Sequence, residues 1–99
     1  MIEKIGEPAM LEQLAEESVE LAKACLKLAR KLRGENPTPK SKAECQRELL
    51  EEFTDVIQCS RELKLQPDEE QIEEKRLRFL TRWTAAAQSK IDSKKRHTH

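Results

Sequence analysis

The sequence predicts an all-α protein, a small helical bundle of three main helices completed by homo-oligomerisation. Three observations lead there. Two glycines and four prolines punctuate 99 residues and cluster in a few places, leaving three long uninterrupted segments. Within each segment apolar residues recur every three or four positions, and no run of alternating polar and apolar residues competes with that period. A composition of 38% Asp, Glu, Lys and Arg against 3% aromatic residues describes a chain rich in surface and poor in core, which favours burial against a second copy.

Between Pro8 and Gly34, the residues Leu11, Leu14, Ala15, Ser18, Ala22, Cys25, Ala29 and Leu32 follow the spacing of an amphipathic helix. A helix of about 25 residues is roughly 37 Å long. Arg33 to Lys40 reads as a connector, since Gly34 suits a helix C-terminus and Pro37 and Pro39 disfavour helix in the residue before each. Ser41-Lys-Ala-Glu44 has the form of a capping box. It opens a second helix with the stripe Cys45, Leu49, Phe53, Val56, Ile57, Ser60 and Leu63, ending near Leu65. Pro67 with Asp68-Glu69-Glu70 matches the start of a third, where proline fits the first turn and negative charge complements the helix dipole. Its apolar positions are Ile72, Phe79, Leu80, Trp83 and Ala87. The organisation expected is a single helical domain over residues 1–88 and a basic, flexible tail over 89–99, where Ile91 is the one large apolar residue.

Charge and composition exclude several classes of function. Lys and Arg number 19 and so do Asp and Glu, so no bulk electrostatic pull draws the chain to nucleic acid or anionic lipid. No apolar stretch approaches the roughly 20 residues that cross a bilayer, and Met1-Ile-Glu-Lys-Ile-Gly6 lacks the apolar middle of a signal peptide, so a cytoplasmic protein is expected. Cys25, Cys45 and Cys59 suit neither a disulfide framework nor a zinc ribbon and read as reduced thiols. The only histidines, His97 and His99, stand at the extreme C-terminus, and there is no tyrosine. Any chemistry must therefore use carboxylates, lysines, arginines, thiols or a bound metal.

The carboxylates carry a pattern. Glu16-Glu17-Ser-Val-Glu20 lies on the first long helix and Glu51-Glu52-Phe-Thr-Asp55 on the second. Residues three apart on a helix are neighbours, so Glu17 with Glu20 and Glu52 with Asp55 form like-charge pairs that repel by a few tenths of a kcal/mol in water, and by more when desolvated. Glu52 and Asp55 flank Phe53, Val56 and Ile57, while Glu17 and Glu20 bracket Ser18 and Val19, which puts these acids near the packing seam. If the short connector makes the two helices antiparallel, their middles face each other and the four carboxylates converge. A hard divalent cation relieves that repulsion. The competing reading is a plain solvated face: acidic pairs arise by chance in so charged a chain, and Glu69-Glu70 and Glu73-Glu74 are of that kind.

Glu-Glu-x-x-Glu followed after a connector by Glu-x-x-Asp resembles the motif of the MazG-type nucleoside triphosphate pyrophosphohydrolases, an all-α superfamily. Gln13-Leu-Ala-Glu16-Glu17-Ser-Val-Glu20-Leu resembles the family's opening helix and Leu50-Glu-Glu52-Phe-Thr-Asp55-Val-Ile its second motif helix. The resemblance spans roughly Ile5 to Leu63. It implies cleavage of a nucleoside triphosphate between the α- and β-phosphates, dependent on Mg²⁺ or on Mn²⁺ in its place, by a homodimer or homotetramer. Carried over, Glu17, Glu20, Glu52 and Asp55 are the metal ligands and Glu16 an accessory acid. Lys75 best matches a basic position of the family's third helix, and Arg78 and Arg82 repeat with it at helical spacing to offer charge to a triphosphate. Cys59 and Ile5 stand where many members carry an aromatic residue and a tryptophan, which leaves base stacking without its usual groups.

Three other readings compete with this one. A non-catalytic helical oligomer mediating protein–protein interaction keeps the fold and makes the acids merely solubilising. Nucleic-acid binding by Lys94-Lys95-Arg96 has little behind it, because the segment from Pro67 onward has a surplus of only two basic residues, 8 against 6, and its tail no interleaved aromatics. A di-iron carboxylate bundle needs Glu-x-x-His pairs, which this sequence lacks.

Overall fold

The computed structural model describes residues 1–35 and 39–97, with side chains through residue 93. The connector residues Asn36, Pro37 and Thr38, the tail residues Thr98 and His99, and the side chains of the Lys94-Lys95-Arg96-His97 run lie outside the described residues. The chain is all-α. Its helices are α1 (Ile2–Ile5), α2 (Glu7–Arg33), α3 (Lys42–Glu62) and α4 (Glu69–His97), and the described residues contain no strand. They form two compact units, Met1–Gln66 and Pro67–His99.

The helix ends follow from local chemistry. Gly6, at φ 87°, separates α1 from α2 in a backbone conformation that side chains with a Cβ rarely adopt, and Pro8 then sits in the first turn of α2. Gly34 closes α2 in the left-handed conformation, its N–H donating to the carbonyls of Arg30 and Lys31. Ser41 caps α3 as the capping box predicts: the Glu44 N–H donates to Ser41 Oγ at 3.1 Å, and that hydroxyl donates to Glu44 Oε1 at 3.3 Å. The helix stops at Glu62, slightly before Leu65, with Lys64 at φ 58° turning the chain. Asp68 rather than the proline starts α4: its Oδ1 accepts from the Gln71 N–H at 3.1 Å, which leaves Pro67 just outside the helix. Beyond Ala87 the helix runs on to His97, through the segment expected to be a flexible tail, because no glycine or proline follows Pro67 to interrupt it.

In the first unit α2 and α3 pack against each other, with α1 against α2. Their direction is antiparallel. Lys27 of α2 reaches Glu48 near the start of α3 at 3.7 Å, while the Met1 amine reaches Glu62 at its end, also at 3.7 Å. The seam on α2 comprises Met10, Leu14, Glu17, Leu21, Ala24 and Leu28, buried or half-buried at three- and four-residue intervals. This corrects part of the stripe expected from the sequence: Leu14 and Ala29 are half-buried, while Leu11, Ala15, Ser18, Ala22, Cys25 and Leu32 are exposed. The apolar arc of α2 is wider than one neighbouring helix covers, and α3 lies along its edge. On α3 the seam is Cys45, Glu52, Val56, Cys59 and Leu63, while Phe53 faces out.

Among the described residues the buried apolar side chains are few, namely Met10, Ala24, Cys45 and Cys59. The second unit is a single helix whose described side chains are all exposed, including Ile72, Phe79, Leu80 and Trp83, with Trp83 at 68%. Phe79 and Trp83 stack one turn apart with ring centroids at 6.5 Å. No helix among the described residues is long and apolar enough to cross a membrane.

With so small a core, Met10 is the side chain whose loss the first unit tolerates least, being 0% exposed and the largest member of the buried set. Met10→Ala is expected to lower unfolding free energy by about 2 kcal/mol or more. Val19→Ala, on the exposed side of the same helix, should change it by less than about 0.5 kcal/mol. Urea denaturation of the two variants side by side checks this.

Candidate metal centre

Three of the carboxylates singled out in the sequence meet at the middle of the seam. Glu17 of α2 and Glu52 and Asp55 of α3 each bring an oxygen to within 4.8 Å of the others. Glu17 and Glu52 are half-buried and Asp55 is exposed. The shared seam explains the meeting: Glu17 lies between Leu14 and Leu21, and Glu52 between Cys45 and Val56, at helical intervals on the inward-facing lines. Asp55 lies one turn beyond Glu52 on the side away from the apolar face.

Neighbouring groups hold this cluster in place and raise its electrostatic cost. Gln13, one turn before Glu17, donates from Nε2 to Glu17 Oε1 at 2.8 Å and fixes that side chain. Partial desolvation, then repulsion from Asp55, Glu17, Glu20 and Glu51, raises the Glu52 carboxyl above the ordinary carboxylate value. Cys59, buried one turn past Asp55, has its thiol pushed up by burial and by the charges of Glu17, Asp55 and Glu62, so it remains protonated and packs as a small apolar group. Among the described residues no lysine or arginine forms an ion pair with Glu17, Glu52 or Asp55.

The other predicted site residues stand apart from this trio. Glu20 is exposed one turn along α2 and pairs with Lys23 at 3.4 Å, though its charge still reaches Glu52. Glu16 is exposed on α2. Lys75, Arg78 and Arg82 belong to the second unit, where with Ile72, Arg76 and Phe79 they line one open surface of α4. Two features went unread in the sequence. Gln13 was not singled out, although its position four residues before Glu17 is the spacing at which an amide reaches a carboxylate. Glu17 and Glu52 were expected at the flank of the stripe, yet they stand in it.

No family model, curated protein or solved structure matches this chain. The site therefore has to be judged on its own donor set. All three donors are carboxylate oxygens, which suit hard cations such as Mg²⁺, Mn²⁺ or Ca²⁺. Around an ion with metal–oxygen distances of about 2.1 Å, ligands on opposite sides are about 4.2 Å apart, so oxygens within 4.8 Å need only a small side-chain adjustment to share it. The residues present fit such an ion.

A carboxyl that binds its proton more tightly folded than unfolded lowers stability as pH rises from the ordinary value through the raised one, since over that range the folded state holds more protons. For Glu52 the sign is clear: the cation-free protein loses stability as its charge develops beside Glu17, Glu20, Glu51 and Asp55. Chelator-treated wild type is thus expected to lose more melting temperature between pH 5 and pH 7 than Glu52→Gln does. Thermal melts followed by circular dichroism read the difference, and equal slopes would remove the electrostatic account of the cluster.

Proposed function

We propose that this chain is a Mg²⁺-dependent nucleoside triphosphate pyrophosphohydrolase of the MazG-like type, acting in the cytoplasm as a homodimer or homotetramer and converting a nucleoside triphosphate to the monophosphate and pyrophosphate. The observation that carries the reading is the convergence of Glu17, Glu52 and Asp55 from two helices, with Glu52 held above its ordinary pKa and no cation paired to any of them among the described residues. The motif resemblance supplies the rest. Its two halves, at Glu16 to Glu20 and Glu52 to Asp55, supply the acids of the seam.

In this reading Glu17, Glu52 and Asp55 hold the ion, and Glu20 joins them by releasing Lys23, which its exposed position allows. Bound there, Mg²⁺ would screen the polyphosphate charge and favour attack by water on phosphorus. Gln13 keeps Glu17 aimed into the site. Glu16 serves as an accessory acid beside the ligands. The oxygen of the attacking water ends on the nucleoside monophosphate, the bond between the α-phosphorus and the bridging oxygen breaks, and that oxygen leaves with the pyrophosphate. The motif resemblance also implies that Lys75, Arg78 and Arg82 offer positive charge to a triphosphate. Cys59 takes no part, because a protonated, buried thiol is a poor nucleophile.

A second reading, a non-catalytic helical oligomer, draws on the exposed apolar side chains of both units. Metal dependence separates the two. With a panel of ribo- and deoxyribonucleoside triphosphates, pyrophosphate release is expected to require Mg²⁺ and to fall at least about 100-fold in kcat/KM in Glu52→Gln and in Asp55→Asn, with helicity preserved. Triphosphates that all stay intact under these conditions leave the oligomer reading standing.

A further inference from the structure

The neutrality of the whole chain hides a segregation of charge along α4. Its acids gather at the start, as Glu69, Glu70, Glu73 and Glu74, and none follows until Asp92. The sixteen residues from Lys75 to Lys90 hold five basic residues and no acidic one. Apolar side chains share this stretch and are exposed, with Phe79 at 60% and Trp83 at 68%. Ile72, Phe79, Trp83 and Ala87, at intervals of seven, four and four, follow one line of the helix, with Leu80 and Ile91 beside it. Lys75, Arg78 and Arg82 flank that line and share an open surface with Ile72 and Phe79.

We propose that α4 lies flat on an anionic lipid surface, its apolar line sunk to the boundary between headgroups and acyl chains and its basic residues among the lipid phosphates. Three features favour that occupant. The first is the pairing of aromatic and aliphatic side chains with a run of uncompensated positive charge, the composition of a helix that binds in the membrane interface. No helix among the described residues is long and apolar enough to cross a bilayer, so α4 would rest on the surface. The second is what the face would do to other occupants. Another copy of it would set Arg76 and Lys90 against the same charges, and a nucleic acid would leave Leu77, Leu80 and Ile91, all exposed, with nothing apolar to meet. The third is the reach of the basic side chains. Arg76 and Lys90 fall close to the apolar line, and their long stems let the charged heads rise to the phosphates while the stems stay in the boundary. Arg76 need only release Glu73, an exposed partner at 3.3 Å.

Lipid attachment is separate from hydrolysis, so it is measured on the full chain with divalent cations chelated and no nucleotide present. Trp83 is the only tryptophan and reports directly from the face. Its emission is expected to shift to the blue with vesicles of mixed phosphatidylcholine and phosphatidylglycerol, and to be quenched when the acyl chains are brominated. Vesicles of phosphatidylcholine alone should leave it nearly unchanged, and raised salt should weaken the response. Each basic residue near such a surface strengthens binding about fivefold, so Arg82→Glu with Lys90→Glu should weaken it at least about 25-fold. Phe79→Ser should weaken it about tenfold. Val19→Glu, on α2, should leave it unchanged. If a variant fails to fold, the two vesicle compositions and the brominated lipid still decide the matter with the wild type. Absence of vesicle binding overturns the proposal, as does equal binding to both compositions or binding in which brominated lipid spares Trp83. So does emission already blue and shielded from iodide before lipid is added, which marks a protein surface on this face. A response of Trp83 to a single-stranded oligonucleotide but not to vesicles overturns it in favour of nucleic acid.

Discussion

The constraint on which the first unit depends is that two antiparallel helices share one seam, and that this seam must accommodate carboxylates at its middle. Hydrophobic contact alone would not place Glu17 and Glu52 opposite each other, because both are half-buried there and the charge of Glu17 raises the cost of ionising Glu52. Apolar burial on either side fixes their position. Met10 and Cys59 lie towards one end, Ala24 and Cys45 towards the other, and together they clamp the helices so that the acids cannot turn away without breaking the packing. Ion pairs at the ends reinforce the register, with Lys40 and Lys27 both on Glu48 and the Met1 amine on Glu62.

That arrangement separates the hairpin into two sides with different chemistry. One is apolar and free of charge at its centre, and the other carries the acids and the lysines that partly balance them. A helix with an apolar arc wider than one neighbour can cover suits a multi-helix assembly better than a pair. The same width made the seam hard to locate from sequence. The stripe through Leu11, Ser18, Cys25 and Leu32 contains no charge and is the natural reading of the period, yet the helix turns by one position, so that α3 covers the line containing Glu17.

Much of the rest could be read from the residues because each feature is set locally. Gly34, Ser41 and Glu44 mark their helix ends through backbone conformation and capping, which depend on only a few neighbours. The acidic pairs stood out because like charges three residues apart are unfavourable on any helix. What sequence could not convey was which arc of a wide stripe would be covered and how each carboxylate would be oriented, since both depend on the partner helix. Glu20 illustrates the second point: it shares its motif with Glu17, and the choice between the seam and Lys23 is settled by one turn of rotation. The continuation of α4 to His97 has the opposite origin. A segment with no packing partner in the sequence pattern was expected to fray, and local propensity without a helix breaker was enough to extend it.

The smallest residues of the seam have a further effect. Ala24, Cys45 and Cys59 are buried on either side of the acids and contribute little bulk, and small side chains at a contact let helix axes come closer. The width of the gap between the carboxylates is thereby inherited from side chains that are not ligands themselves. A lineage that enlarged one of these three would wedge the rods apart and change the spacing of the carboxylates, without altering a single acid.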